Sequence, residues 1–395
     1  MVTKARIAVS AYFAIQGSAL GLVAVHIPSL EQKTGVSLAT LGLLLMLAGV
    51  GGFVAMQIMG WFIDHIGSGS ATRYGSLVAG MAIVFFAFVS DPWTLGAAFF
   101  FLGVGLSAVD VPVNSHSLQV EDAHGKPIFN QFHAFWSIGG FIGSVMGSGF
   151  LLFRVPIEIG FPIYGVLIAL VSWFLGVWLL PDKPNVTNRD KAQGKQESKQ
   201  NRTVLGMVIL LGAMAASGAI MEGIANDWSA IYLTNILGAS PAVAAWGLAA
   251  FSLGMTIARL SIDVLVARVG RMPIIRYGSL FSALVLGLMM FPQTVTISIL
   301  LWAALGISLA GVVPQIFALA GRLGKPTHHG RNMSRVVGIA YLAALAGPSV
   351  IGLLTVFMPL NTAFIYGVLL GFWVLAGSFL INRSSIKISS AESRL

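Results

Sequence analysis

Two acidic residues stand inside apolar runs of this chain, each with a carboxamide one helical turn later. Asp110 precedes Asn114 and Glu222 precedes Asn226, at the i, i+4 spacing that places side chains on one helix face. Asn130 and His133 are also about a turn apart, with Trp136 and Ser137 behind them, and Asp227 and Trp228 follow Asn226. A charged group at the centre of a membrane span costs about 2.5–3.5 kcal/mol on insertion scales, so its presence implies a partner or a water-filled cavity. Together these groups offer proton exchange, hydrogen bonds to hydroxyls and a stacking face. Asp110 is the expected proton carrier, the alternative being a fixed structural partner for His133 or a backbone group. His133 and Glu222 are the other proton-coupling candidates. Gln16, Asn114, Asn130, Trp136, Glu222, Asn226, Asp227, Trp228 and Gln315 are the candidates for binding a small polar solute, with a gate or interfacial anchor as the alternative for Trp228.

The elements that must position these residues are membrane spans. The chain is 56% hydrophobic and only 9% charged, with a mean hydropathy of +0.87, outside the range of soluble globular domains. A helix needs roughly 20 apolar residues to cross a hydrocarbon core of about 30 Å. Twelve stretches meet that need, at about 5–28, 38–63, 73–90, 93–119, 128–152, 161–181, 203–233, 241–265, 272–291, 295–320, 334–358 and 361–382. The expected fold is therefore all-α and polytopic, with twelve transmembrane helices in two six-helix pseudo-repeats. The expected division is an N-terminal bundle over 1–181, a polar cytoplasmic linker over 182–202, a C-terminal bundle over 203–382 and a cytoplasmic tail over 383–395. Lys4 and Arg6 precede the first apolar run as in a signal peptide, but the run is too long and lacks a small-residue cleavage site, so it reads as a retained helix.

With a cytoplasmic N-terminus, alternating the spans places all of the 23 Lys and Arg residues on the cytoplasmic side except Lys33 and Arg154. Both termini are then cytoplasmic and the net charge of +9 reflects topology. No nucleic-acid partner is implied, because no segment between spans is long enough for a basic soluble domain. The absence of cysteine excludes disulfides, thiolate metal sites and thiol nucleophiles. His328 and His329 form a loop pair without further ligands, and nothing implies a metal, a cofactor or an enzyme. Glu222, some 20 residues along a helix that rises about 1.5 Å per residue, is expected toward the periplasmic side. Gly139, Gly143 and Gly147 make a small-xxx-small ladder for close helix packing. Gly311 with Pro314, and Gly347-Pro348, are the places where a span can bend.

The pentapeptide RYGSL occurs at 73–77 and again at 276–280, an offset of 276 − 73 = 203, about half the chain, and Gly67 and Gly270 stand six residues before each arginine. A direct repeat of half length is how several secondary transporters are built. The stretch from Gly60 through Asp64 to Gly67, followed by Arg73, resembles the loop motif of the major facilitator superfamily, GxxxD(R/K)xGxR. Arg259, Asp263, Arg268, Gly270 and Arg271 form a looser second copy. This resemblance implies a cytoplasmic gate built from Gly60, Asp64, Gly67, Arg73, Arg259, Asp263, Arg268 and Arg271.

Two further resemblances concern the interior. GVGLSAVDVPVN over 103–114, followed by Asn130, His133, Trp136 and Gly139, is similar to the fucose-permease side of the superfamily, which implies a proton carrier at Asp110; the second acidic site of that group, on helix one, is absent here, where Ala24 stands. Glu222 to Trp228, FSLGMTIAR over 251–259 and YLAALAGPSVIG over 341–352 resemble a bacterial branch typified by MosC, a protein associated with rhizopine transport. The resemblances imply a secondary transporter in a bacterial inner membrane, monomeric and surrounded by lipid, moving a sugar- or polyol-like solute by alternating access with proton coupling. A proton-antiport exporter of drugs or metabolites, and a transport-inactive sensor or scaffold, are the rival readings.

Overall fold

The computed structural model describes residues 2–125, 128–181, 202–320, 323 and 329–381. The linker before Arg202 and the tail 383–395 lie outside them. The N-terminal half comprises α1 (Val2–Thr34), α2 (Leu38–Ile66), α3 (Ser68–Phe85), α4 (Pro92–His124), α5 (Phe129–Leu152) and α6 (Ile157–Leu175). The C-terminal half comprises α7 (Arg202–Ile231), α8 (Pro241–Val269), α9 (Arg271–Met289), α10 (Val295–Leu309), α11 (Val312–Ala320), α12 (His329–Ala344), α13 (Gly347–Leu354), α14 (Leu360–Ala363) and α15 (Ile365–Leu380).

Among the described residues, 11 helical spans are long and apolar enough to cross a membrane, α10 with α11 and α14 with α15 each counting as one. The remaining expected span, 334–358, is a broken helix. α12 stops at Ala344 and α13 restarts at Gly347-Pro348, where a proline with no N–H and a fixed φ suits the first turn of a helix. The α10/α11 break falls beside Gly311, the other bend expected from sequence.

The halves repeat one packing plan. α1 lies on α5, α2 on α4 and α3 on α6; in the other half α7 lies on α12, α8 on α10 and α9 on α15. The α1–α5 contact is tight because glycines face backbone. A Cβ at Gly139 would run into the carbonyl oxygen of Ala14, one at Gly143 into that of Ser18, and one at Gly21 would stand 2.5 Å from the oxygen of Gly140. Backbone cannot yield as a flexible side chain does, so Gly143→Leu is expected to separate these helices at a cost of at least about 1–3 kcal/mol. The check is the monodisperse yield in size-exclusion chromatography, which should fall sharply for this variant and remain normal for Gly149→Leu, where a Cβ meets nothing.

The duplicated pentapeptide performs one structural job twice. Gly67 (φ 84°) and Gly270 (φ 82°) both have a positive φ that favours glycine, and each ends one helix and begins the next. The guanidinium of Arg73 lies 4.3 Å from the ring centroid of Trp173, and that of Arg276 lies 4.1 Å from that of Phe379. Gly75 admits the carbonyl of Ala108, and Gly278 that of Ser308. Each copy therefore fastens the third span of its half to the fourth and sixth.

We call the face where α1 begins and α15 ends the terminal face, and the opposite one the far face. On the far face Asp91 caps α4, accepting from the amides of Trp93 (2.8 Å) and Thr94 (3.1 Å), while the Thr94 hydroxyl accepts from the Asp91 amide. The Thr94 amide, the largest influence, and the other donors hold this carboxyl below its ordinary value of 3.8. A depressed folded-state value stabilises above the unfolded value, and that contribution disappears as pH falls through the folded one. Asp91→Ala is thus expected to lower Tm near pH 7, with the gap to wild type closing below about pH 4; a gap independent of pH would contradict the capping role.

Candidate functional site

From Leu211 onward α7 is buried almost all round, but Ala219, Glu222, Gly223, Asn226 and Asp227 form a half-buried stripe at helical spacing. This stripe faces α8, which in turn packs along α5 across the middle of the molecule. The pivot is Arg259 of α8. Its Nη1 donates to the hydroxyl of Ser137 on α5 at 2.7 Å, and its Nη2 stands 3.7 Å from Glu222 Oε1. The Arg259 and Glu222 side chains are 18% and 20% exposed, so the pair is largely enclosed yet open to a solute. His133, one turn before Ser137, lies close enough to feel the charge of Arg259 and packs its ring 4.8 Å from that of Phe13 on α1. One guanidinium thus gathers residues from both halves.

Other contacts between halves lie toward the far face. Ser148 Oγ donates to the carbonyl of Ala242 at 2.7 Å, Ser349 Oγ to that of Gly42 at 3.1 Å, and Asn235 Nδ2 to Glu31 at 3.2 Å. Asn235 sits on a π-helical turn, Tyr232–Ile236, that extends α7. From Arg259 to its end at Val269, α8 is half-buried or exposed at every described position, whereas its earlier turns carry buried residues. The halves are therefore hydrogen-bonded at the far face and at Arg259, and beyond that point, on the terminal side, α8 is more exposed, with Ile262 still against Gly311.

Several candidates take positions different from those expected. Arg259, expected in the terminal-face gate, is an interior residue, because it points across the bundle to Glu222 and Ser137. Glu222, expected toward one face, meets the same arginine well inside. Arg73 serves its own half against Trp173, and Gly60 faces open space. Arg268 is exposed, and Arg271 donates to Gln315 Oε1 at 2.6 Å, which commits Gln315 to a contact within the C-terminal half. Gln16 is buried inside the N-terminal half, donating to the Leu106 carbonyl at 3.2 Å. Its Oε1 has no partner among the described residues, and it borders a cavity of about 10 Å³ with Tyr12, Ser76 and Ser172, room for about one water. Trp228 is wholly buried in the core, and Trp136 is half-buried against the Tyr12–Phe13 cluster. Asp110 is held by Asn114, whose Nδ2 donates to its Oδ1 at 3.0 Å and to its backbone oxygen at 2.8 Å. His133 therefore groups with Arg259, and Asp110 groups with Asn114. The side chains of Asp64, Asn130 and Asp263 lie outside those described.

Ser137 escaped the site prediction, and Arg259 was expected at the wrong place. A signal existed for the arginine: it lies within the apolar stretch 241–265, where a lone cation needs a partner as much as a lone carboxylate does. Nothing in the sequence marks Ser137, since small hydroxyl residues recur along α5.

Two bundles of membrane spans repeating one packing plan, joined around a polar interior pair, define a polytopic membrane transporter. Residues 204–394 match the family model of the Major Facilitator Superfamily. An uncharacterized transporter, y4wD, of Sinorhizobium fredii is 30% identical over 353 residues, covering 88% of this chain and 90% of that one. The membrane protein MosC of Rhizobium meliloti is 24% identical over 393 residues, covering 95% and 90%. Among solved structures, the nucleoside transporter NupG superposes with a TM-score of 0.69 at 11% identity, covering 96% of this chain and 97% of that one. A bacterial homologue of the lysosomal transporter Spinster, inward-facing and occupied, gives 0.70 at 13% identity, covering 97% and 98%. The chain belongs to the major facilitator superfamily and resembles its MosC branch.

Proposed function

We propose that this chain is a proton-coupled secondary transporter that moves a small polar, sugar- or polyol-like solute by alternating access across a bacterial cytoplasmic membrane, with both termini cytoplasmic. The observation that carries the reading is the interior cluster of Arg259, Glu222 and Ser137, an ion pair and its hydroxyl partner contributed by both halves of a mainly apolar bundle. An interior charge pair with direct access to solute is costly to maintain for structure alone. The far-face contacts and the greater exposure of α8 beyond Arg259 support a conformation closed at one face and open at the other. The distribution of Lys and Arg supports assigning the open, terminal face to the cytoplasm. Protonation of Asp110 or Glu222 removes a buried charge, and a solute that alters their surroundings alters the proton's binding reciprocally, which is the linkage that coupling requires.

The test is flux in liposomes containing the purified protein, using solutes that raise its Tm. An imposed proton gradient is expected to drive accumulation, and a protonophore to collapse it. Solute movement indifferent to both would contradict proton coupling; binding without movement would point to a sensor.

A further inference from the structure

The donors of Arg259 are unequally used. A guanidinium carries five N–H groups in a planar fork, and the Nε–Nη2 edge presents two parallel donors that match the two oxygens of a carboxylate. Here Nη1 is occupied by Ser137 at 2.7 Å. Among the described residues Nε is buried without a hydrogen-bond partner, and Nη2 has only Glu222 Oε1 at 3.7 Å, beyond hydrogen-bond length. The edge suited to a carboxylate is thus held loosely, through one oxygen, by a residue that does not close the fork. An unmet buried donor on a charged group is costly, and a purely structural pair would be expected to satisfy it.

Nε itself is enclosed, so the approach to this edge is through the partly exposed ends of the two side chains. Both side chains retain partial exposure. The α8 turns that follow Arg259 toward the terminal face are free of buried positions. His133 lies beside Arg259, Asp227 follows Glu222 by five residues on α7, and Asp110 belongs to α4. Neither acid forms an ion pair with Arg259: Asp110 is engaged by Asn114, and Asp227 makes no hydrogen bond or ion pair among the described residues.

We propose that the transported solute bears a carboxylate, which takes the Nε–Nη2 edge of Arg259 in place of Glu222 while Ser137 keeps Nη1 fixed. This deepens the transporter reading and rests on it: the polar solute becomes a small organic acid, such as a sugar acid, and Glu222 becomes its internal competitor. No atom of Arg259 changes protonation, because an arginine stays charged throughout. Displacement leaves Glu222 as a second anion beside the solute, so binding of the acid and uptake of a proton at Glu222 or Asp110 favour one another.

The experiment compares acids with their own amides: lactate with lactamide, gluconate with gluconamide and nicotinate with nicotinamide, by thermal shift of the purified full-length protein at fixed ionic strength. At least one acid is expected to stabilise the protein where its amide does not. Arg259→Gln should weaken that acid by roughly thirtyfold or more. Because this variant can also fail to fold, Glu222→Gln supplies the second arm. Removing the competitor should tighten the acid several-fold, whereas a merely structural pair predicts weaker binding. A panel in which no acid outperforms its amide, or an acid response that survives Arg259→Gln or weakens in Glu222→Gln, overturns the assignment. Equal stabilisation by acids and amides does so while leaving the transporter reading in place, which liposome flux tests separately.

Discussion

Arg259→Met is expected to abolish transport and to destabilise the protein by about 3–5 kcal/mol, because it leaves Glu222 as a largely buried charge without its partner. Methionine preserves much of the length and apolar volume of the arginine stem, so the loss reports the guanidinium. The decisive comparison is the double variant Arg259→Met with Glu222→Gln. With neither charge present no desolvation penalty remains, and the Tm should return most of the way to wild type. Transport should not return, since the group that joins α5, α7 and α8 is still missing. Thermal unfolding and liposome flux on wild type, Arg259→Met, Glu222→Gln and the double variant separate the two effects. Recovery of both would mean that the pair is structural, and recovery of neither would mean that Arg259 holds the halves together for folding alone.

Asp110→Asn is expected to reduce the accumulation ratio to unity while counterflow exchange continues. The geometry favours so selective a result. Asn114 donates to one carboxylate oxygen of Asp110 and to its backbone carbonyl. Asparagine retains an acceptor for the first bond and leaves the second untouched, so the local structure should persist and only the exchangeable proton disappears. Counterflow needs the protein to reorient with solute bound but needs no net proton movement. Normal uphill accumulation by the variant would remove Asp110 from coupling and leave Glu222 as the proton site. Loss of counterflow together with accumulation would show that Asp110 acts in reorientation or binding instead.

Much of the scaffold was legible because its signals are local. Long apolar runs identify spans without knowledge of their neighbours, and Gly347-Pro348 and Gly311 announced breaks through backbone chemistry that depends on no tertiary contact. Gly67 and Gly270 were likewise recognisable, and both make the same turn between spans. The direction of a side chain around its helix is a different matter. Arg73 looks like a gate residue beside its loop and Arg276 is its counterpart in the repeat, yet their partners Trp173 and Phe379 lie about a hundred residues further on, and no local pattern links them. Gln16 and Gln315 are polar residues within spans, but the faces they occupy turn into their own halves.

The interior site was half legible for the same reason. Insertion cost draws attention to Asp110 and Glu222 from sequence alone. Their partners depend on which helices meet. The sequence order suggested that α4 and α5 would pool their polar groups, whereas α5 packs along α8, so His133 and Ser137 face Arg259. The resemblance of Arg259 to part of a loop motif concealed its place inside a span. A duplicated scaffold also hides the asymmetry that matters: RYGSL serves both halves alike, while the pair Arg259–Glu222 belongs to one half and reaches the other through Ser137.

Alternating access around Arg259 is the central claim, and the absence of cysteine from the chain makes it directly measurable. Spin labels at Glu31→Cys and Asn235→Cys report the far-face contact, and labels at Gln131→Cys and Arg268→Cys report the terminal ends of α5 and α8. Pulsed electron resonance distances in liposomes, recorded across pH and with a solute that the protein binds, should show a population in which the far-face pair lengthens as the terminal-face pair shortens. Two distances that remain fixed under all conditions, or that lengthen together, would contradict the account.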